Sequence, residues 1–474
     1  MFSTRDAYHI FHVDKKAIYF QNNLFRQLIK SIYGENYLSE DKITRRKYLK
    51  YAGAAIAVGA IAATGYGISQ YNQPPTSTTS TTQTVTTTGK RKVKIGGTKP
   101  LTGIESYTGR QEHNGNELWA NTVNEAGGIK AGDGNTYEVE LIIYNDESKP
   151  ENVPRLYEKL IVEDQVDFLF GPAWGPLGMA TVPIVERYRK FEVYGTCSFD
   201  PRDYRDWKYI VHTITNGPGY MPGILDMIWE RIVPYDPEAK NIAIIHGDDA
   251  FRMTAGSYGK KYADEKGFNV VFYDSYGTGT TDLTPILTKA KATEPAIFLN
   301  PGSFADAMLL MKQMRELDFN IKLIWPGTGA VLEEFYDSNG KYAEGCVTCT
   351  QWEEGFLYKQ DYGPSHDEFI KAYEKNYEEM TNYTAATGYQ QGLVVQKAME
   401  QASDPLDSDS VRKAAGEIEM TTFYGKYKVD PETGWQIGHQ MGVVQWQNGK
   451  KTIVWPLEAG AKELWYPSKK WSEM

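Results

Sequence analysis

The sequence predicts an α/β fold in which parallel sheets are covered by helices on both faces. From Val93 onward, short apolar runs recur, and segments of helical period separate them. Strands buried on both faces read as continuous apolar runs, and parallel pairing needs a helical crossover between neighbours. Nearly every run also ends in Gly, Pro, Asn or an aromatic residue. Such endings mark loops at the carboxyl ends of strands, where open α/β sheets bind ligands.

In chain order, the apolar runs are VKIGG (93–97), VELIIYN (139–145), VDFLFG (166–171), KFEVYG (190–195), NIAIIHG (241–247), FNVVFY (268–273), PAIFLN (295–300) and IKLIWPG (321–327). Each is short enough for a buried strand and is bounded by turn residues. The helix-period segments include Asn114–Glu125, Pro154–Asp164, Ala305–Leu317 and Asp367–Glu379. Their apolar positions recur at three- and four-residue spacing, which places one apolar stripe on each helix.

Composition bounds the function. The chain has 474 residues, 41% hydrophobic and 24% charged, enough to bury a substantial core. Three cysteines are too few for a disulfide framework. A net charge of −10 argues against broad binding to nucleic acid or anionic lipid. That charge is uneven: residues 1–50 balance to +5, residues 51–88 carry none, and residues 89–474 balance to −15. A basic head, a neutral middle and an acidic body describe an exported protein.

The head ends in Thr44-Arg45-Arg46-Lys47-Tyr48-Leu49-Lys50, which resembles a twin-arginine export signal. Tyr51–Ile68 follows, an 18-residue Ala/Gly-rich stretch at the lower limit for a membrane span. A plain secretory n-region and an uncleaved anchor remain open alternatives. The first cysteine is Cys197, so a lipid anchor on an N-terminal cysteine is excluded. From Thr76 to Thr88, eleven of thirteen residues are Ser or Thr. Such a segment has nothing to bury and suits an extended stalk or flexible linker.

Val93–Ile129, reading VKIGGTKPLTGIESYTGRQEHNGNELWANTVNEAGGI, resembles the opening of substrate-binding proteins of ABC importers, of the branched-chain-amino-acid type. The likeness continues through YNDES (144–148), GPAWGPLGMATVP (171–183), YGTGTTDLTPILTKAKATEPAIF (276–298), FADAMLLMKQMREL (304–317) and GVVQWQNGKKTIVWP (442–456). The resemblance implies a type I periplasmic binding fold: two lobes, each a parallel sheet with helices on both faces, joined by three hinge crossings. The expected crossings are Ile210–Asn216, Val347–Trp352 and Tyr424–Val429. The expected organisation is a basic region (1–50), an apolar segment (51–69), a linker (70–91), a first lobe (92–213 plus 351–423) and a second lobe (214–350 plus 424–474).

The resemblance also indicates where ligand contacts fall. From the first lobe these are Tyr107 and Thr108 after strand one, Trp174 and Gly175 in the second loop, and Thr196 and Ser198 in the third. From the second lobe they are Phe251 and Thr328, with Trp352 past a crossing expected to complete an aromatic wall. Two departures stand out. Trp174 and Gly175 occupy the place where the family has serines that grip a carboxylate, and Thr328 stands where amino-acid binders carry an acidic partner for the ammonium. A neutral hydroxyl cannot balance a buried ammonium. A one-residue slip near Glu333-Glu334 would restore an acid, so amino acids stay open beside amides, aromatic acids and sugars.

Catalytic patterns are weak. Cys346-Val347-Thr348-Cys349 has redox spacing, but on a strand residues three apart point to opposite faces. Gly256-Ser257 falls short of a nucleophile elbow, and no phosphate loop or dinucleotide fingerprint occurs. The expectation is an extracytoplasmic solute receptor, tethered through its N-terminal segment, that passes a small molecule to ABC permease subunits served by a separate ATPase. It has no enzymatic role, cofactor, metal or nucleic-acid partner. A sensory ectodomain of the same fold is the alternative.

Overall fold

All eight apolar runs are strands in the computed structural model of the protein, which describes residues 91–197 and 207–474. The export head, the apolar stretch, the Ser/Thr segment and Ser198 lie outside the described residues. The first lobe opens with β1 (Arg91–Lys99), α1 (Ser106–Glu125), β2 (Ile129–Lys130) and β3 (Thr136–Asn145). It continues with α2 (Val153–Val162), β4 (Phe168–Phe170), α3 (Gly175–Tyr188), β5 (Glu192–Tyr194) and β6 (Ile210–His212). The six strands lie in the order β2-β3-β1-β4-β5-β6, parallel except for the short β2.

The second lobe repeats the plan with α4 (Pro222–Arg231), β7 (Asn241–Gly247), α5 (Ala250–Lys266), β8 (Asn269–Tyr276), α6 (Thr284–Lys291), β9 (Ile297–Leu299), α7 (Phe304–Glu316), β10 (Leu323–Trp325) and α8 (Glu333–Asn339). Its parallel sheet has the order β10-β9-β7-β8. β11 (Val347–Thr350) then leads back to the first lobe, which receives α9 (His366–Tyr377), α10 (Tyr383–Gln401), α11 (Ser408–Glu417), β12 (Glu419–Thr422) and β13 (Gly425–Lys428). The chain ends through β14 (Gly442–Gln447) and β15 (Lys450–Trp455), antiparallel neighbours in a β11-β14-β15 sheet.

Close backbone packing explains several glycines. A Cβ on Gly115 of α1 would stand 2.0 Å from the Ala385 carbonyl oxygen of α10, and one on Gly388 would stand 2.1 Å from that of Glu112. These two helices therefore cross nearly backbone to backbone, which any larger residue would prevent. The family-like motifs also have local structural roles. Asn145 Oδ1 accepts from the N–H groups of Leu101 and Thr102 at 3.0 and 3.3 Å, and Ser148 Oγ donates to the Thr102 carbonyl at 2.8 Å. YNDES thus clamps the PLTG turn. Asp282 in the GTTDLTP block accepts at 2.8 Å from the N–H of Thr284, the first residue of α6.

The hinge is a polar knot. Gln351 accepts from the Thr215 N–H at 3.0 Å and donates back to its carbonyl at 2.8 Å. Thr215 Oγ1 donates to the His439 carbonyl at 2.7 Å, and the His439 ring contacts the Gln351 carbonyl at 3.0 Å. Three crossing segments are thereby tied side by side. The third lies later than the sequence suggests. Tyr424–Val429 stays in the first lobe, because Gly425 (φ 117°) turns the chain back and β13 pairs antiparallel with β12. Gly434 still accepts from the His212 N–H at 3.1 Å, and Met441 is the first residue after it in the second-lobe core.

Candidate ligand-binding cleft

Apart from Trp352 and Ser198, the expected site residues lie on loops or helix starts at the carboxyl ends of the two parallel sheets. After β1, Tyr107 and Thr108 stand in the first turn of α1. Tyr107 is 63% exposed, and its hydroxyl accepts from Asn382 Nδ2 at 3.3 Å. Burial raises its pKa, and it feels the charges of Glu379, Glu334 and Lys451. Glu334 and Lys451 belong to second-lobe elements. Thr108 Oγ1 donates to Glu105 at 3.3 Å.

Two residues that the sequence analysis passed over form the floor. Lys99, the last residue of β1, and Glu112 of α1 are an ion pair with both side chains fully buried. The ammonium also donates to the Gly171 carbonyl at 2.6 Å and to Gln391 Oε1 at 3.4 Å, which engages all three of its protons. The other carboxylate oxygen, Glu112 Oε2, accepts from the Thr196 N–H at 2.9 Å and from the Thr196 hydroxyl. Gly195 is needed beside it, since a Cβ there would stand 2.5 Å from Glu112 Oε1. One pair thus fixes the loops after β1, β4 and β5. The available signal was a lysine closing an apolar strand, with a glutamate thirteen residues on among the inward positions of a helix.

Trp174 is half-buried and has φ 83° and ψ 129°, a region that side chains avoid. Its N–H donates to the Thr196 carbonyl at 3.3 Å, which joins the second and third loops. Gly175 begins α3, and Pro176 behind it removes one amide from that helix start.

In the second lobe, Phe251 lies in the first turn of α5 and meets Tyr220 edge to face at 5.0 Å. Thr328 follows β10; its N–H and hydroxyl both donate to the Gly302 carbonyl, at 2.8 and 3.0 Å. Arg252 beside Phe251 is paired with Asp249 at 2.7 Å and Asp306 at 3.2 Å. Tyr220 of the second lobe and Tyr383 of the first were also passed over. Burial raises both phenols, Tyr220 senses Tyr383, and Tyr383 senses Glu105, Glu112 and Tyr107.

Trp352 does not line the cleft. It is 1% exposed, stacks on His366 at 5.1 Å, meets Phe369 and Phe423 edge-on, and donates its indole N–H to the Phe423 carbonyl at 3.2 Å. Its position next to the hinge strand buries it in the first-lobe core once α9 covers that strand. Beside it, Lys451 pairs with Glu353 at 2.9 Å and Glu333 at 3.5 Å, linking β15 to the crossing and to α8.

Cys346, just before β11, packs in one second-lobe core and Cys349, within it, in another, and both are free thiols. Ser257 is exposed within α5. Among the described residues, no group of three or more His, Cys, Asp or Glu is placed to hold a metal ion. An open hollow of about 610 Å³, lined by Lys291, Glu294, Asp318 and Lys470, adjoins the residues that precede β9 and β10, away from the ligand loops.

Two parallel sheets tied by three crossing segments are the plan of the type I periplasmic fold. The chain belongs to the periplasmic binding protein family, whose pattern matches residues 92–451. It is 24% identical over 391 residues to Leu/Ile/Val-binding protein homolog 7 of Brucella abortus (strain 2308), covering 79% of this chain and 94% of that one. Among solved structures, a putative branched-chain amino acid ABC transporter from Silicibacter pomeroyi superposes with a TM-score of 0.69 at 20% identity, covering 79% and 99% of the two chains. An ABC transporter solute binding protein from Rhodopseudomonas palustris BisB5, in complex with 3,4-dihydroxybenzoic acid, gives 0.58 at 22% identity, covering 81% and 99%.

Proposed function

We propose that this protein is the extracytoplasmic solute receptor of an ABC importer. It holds one small molecule between its lobes and delivers it, closed, to membrane permease subunits driven by a separate ATPase. The observation that carries this reading is the pairing of two strand-end loop sets across a hinge. Tyr107, Trp174 and Thr196 stand on one side, with Tyr220, Phe251 and Thr328 on the other. Hinge closure around a ligand is the motion such a plan permits. The Silicibacter, Rhodopseudomonas and Brucella proteins are described as transporters or binders of this kind, and the same role suits this chain.

The ligand class is a branched-chain amino acid or a related small polar or aromatic solute. The protein performs no bond chemistry in this reading. Residues 51–69, behind the paired arginines, act as signal or anchor, and the Ser/Thr-rich linker sets the body away from the membrane. No helix among the described residues is long and apolar enough to cross a membrane.

The test is a thermal-shift screen of the full chain against amino acids, aromatic acids, amides and sugars. A true ligand raises the unfolding midpoint in proportion to the logarithm of its concentration above Kd. A panel in which no solute moves the midpoint overturns the receptor reading.

A further inference from the structure

Resting on that reading, we infer that the hinge knot is a rigid part of the first lobe, with Gln436 and Gln351 as its positioning residues. The second lobe closes by turning against the knot at residues 216–220 and 441–442, and the tied crossings themselves do not bend.

The knot is moored on one side. Gln436, 4% exposed, lies in the third crossing. Its Oε1 accepts from the N–H groups of Lys428, Gly438 and His439 at 3.2, 2.9 and 3.1 Å. Its Nε2 donates to the carbonyls of His212 and Thr213 at 3.4 and 3.3 Å. A single carboxamide thereby joins β13, the third crossing and the first. Thr213 gives its N–H and its hydroxyl proton to the Tyr194 carbonyl of β5, at 3.1 and 2.9 Å. The buried Arg412 of α11 donates at 3.3 Å to the Pro431 carbonyl, on the loop that enters the third crossing. The His439 ring stacks on Tyr424 at 4.9 Å, and the Tyr424 hydroxyl meets Thr387 of α10 at 2.7 Å. Trp352, directly after Gln351, sits in the first-lobe core.

Toward the second lobe the ties are looser. Among the described residues, Thr215, Gln351, Gln436 and His439 make one side-chain hydrogen bond to that lobe, from Gln351 Nε2 to the Tyr220 hydroxyl at 3.3 Å. The steps beyond are close but unbonded. A Cβ on Gly219 would stand 2.2 Å from Thr215 Cγ2, and one on Gly442 would stand 2.0 Å from Phe356 Cζ. The Lys451–Glu353 ion pair also crosses here, but on a flexible lysine stem that can follow a rotation. Bending inside the knot strands several buried donors and acceptors at once, each of them costly. Turning beyond it gives up one long hydroxyl contact, and hinges place their motion in a few loop or element-end residues of this kind.

The experiment is double electron–electron resonance on the full chain with pairs of identical nitroxide labels at exposed positions. Glu163 stands at the end of α2, Ile437 in the knot and Lys289 in α6. The native cysteines are buried, so labels attach at the introduced ones. One pair is Glu163→Cys with Ile437→Cys, and the other is Ile437→Cys with Lys289→Cys. The inference predicts a distance distribution at least about twofold broader for the second pair, because the motion lies between the knot and the second lobe. Gln436→Leu should broaden the first pair by about twofold, whereas Tyr220→Phe should leave it unchanged. In the unaltered hinge, a second pair less than about twofold broader than the first overturns the inference. So does a Gln436→Leu chain, folded by circular dichroism, whose first pair stays narrow, or a Tyr220→Phe chain whose first pair broadens. If Gln436→Leu does not fold, the unaltered hinge and Tyr220→Phe decide. The widths need no solute. A chain that shows them but binds nothing in the solute screen keeps this hinge and loses the receptor reading; one that binds but lacks them loses the hinge alone.

Discussion

Lys99→Met removes the ammonium under the cleft and leaves its partner behind. Both side chains are fully buried, and the ammonium makes three donations, one of them at 2.6 Å to the Gly171 carbonyl. The variant keeps the volume of the side chain but strands the Glu112 carboxylate with Thr196 as its donor. Breaking one half of a buried pair in this way costs about 3–5 kcal/mol, because the surviving charge has lost both water and counter-ion. Removing both halves is different. Lys99→Met with Glu112→Leu fills the same space with apolar atoms, and such exchanges are often neutral, so the double variant should return to within about 1–2 kcal/mol of the parent. Urea unfolding followed by circular dichroism measures all four chains of the cycle, and a coupling energy above about 2 kcal/mol is expected. A single variant that loses under about 1 kcal/mol, or a double variant no better than the single, would refute the claim that these groups form one buried unit.

Further outcomes follow from other parts of the molecule. Glu192 is buried with its oxygens on the Tyr157 and Thr181 hydroxyls, at 2.6 and 2.9 Å, and burial pushes its pKa up to about 8 from 4.5. The folded state therefore binds this proton more tightly than the unfolded chain. Its contribution is complete below about pH 4.5 and is lost as the pH rises through about 8. The stability gap between the parent and Glu192→Gln should shift against the parent by about 3.5 kcal/mol from pH 5 to pH 8; a gap independent of pH would mean the carboxyl is ionised. At Trp174, glycine accepts φ 83° and alanine does not, so Trp174→Gly should be about 1 kcal/mol more stable than Trp174→Ala, while both weaken the solute. Equal stabilities would remove the strain from the account. Cys346 and Cys349 are buried free thiols whose pKa values burial raises, so a thiol reagent should label neither until the chain unfolds.

What the sequence made legible follows the strength of each signal. The NIAIIHG run coincides with β7 and the other seven runs fall on strands, because a doubly covered parallel strand has no polar face to blur its pattern. The third crossing was misplaced because Tyr424–Val429 reads as a strand, and nothing local says that Gly425 folds it back onto β12. Trp352 was read as a cleft wall from its place beside a crossing, but the covering helix α9 comes from residues 366–377, and contact at that separation leaves no mark in the local pattern. The family pattern points to the threonines at 196 and 328 but not to the direction of their protons. That depends on Glu112 and on the Gly302 carbonyl, which only the fold brings to them.

The central claim is that one solute is held between the strand-end loops of the two lobes. Isothermal titration of the full chain with the solute that gives the largest thermal shift tests it most directly, beside Trp174→Ala and, as a remote control in the outer hollow, Lys470→Ala. The account predicts one solute per chain, an affinity lost by at least about tenfold in Trp174→Ala, and no change in Lys470→Ala. Binding that survives intact in Trp174→Ala, or that is lost in Lys470→Ala, would place the solute elsewhere and contradict it.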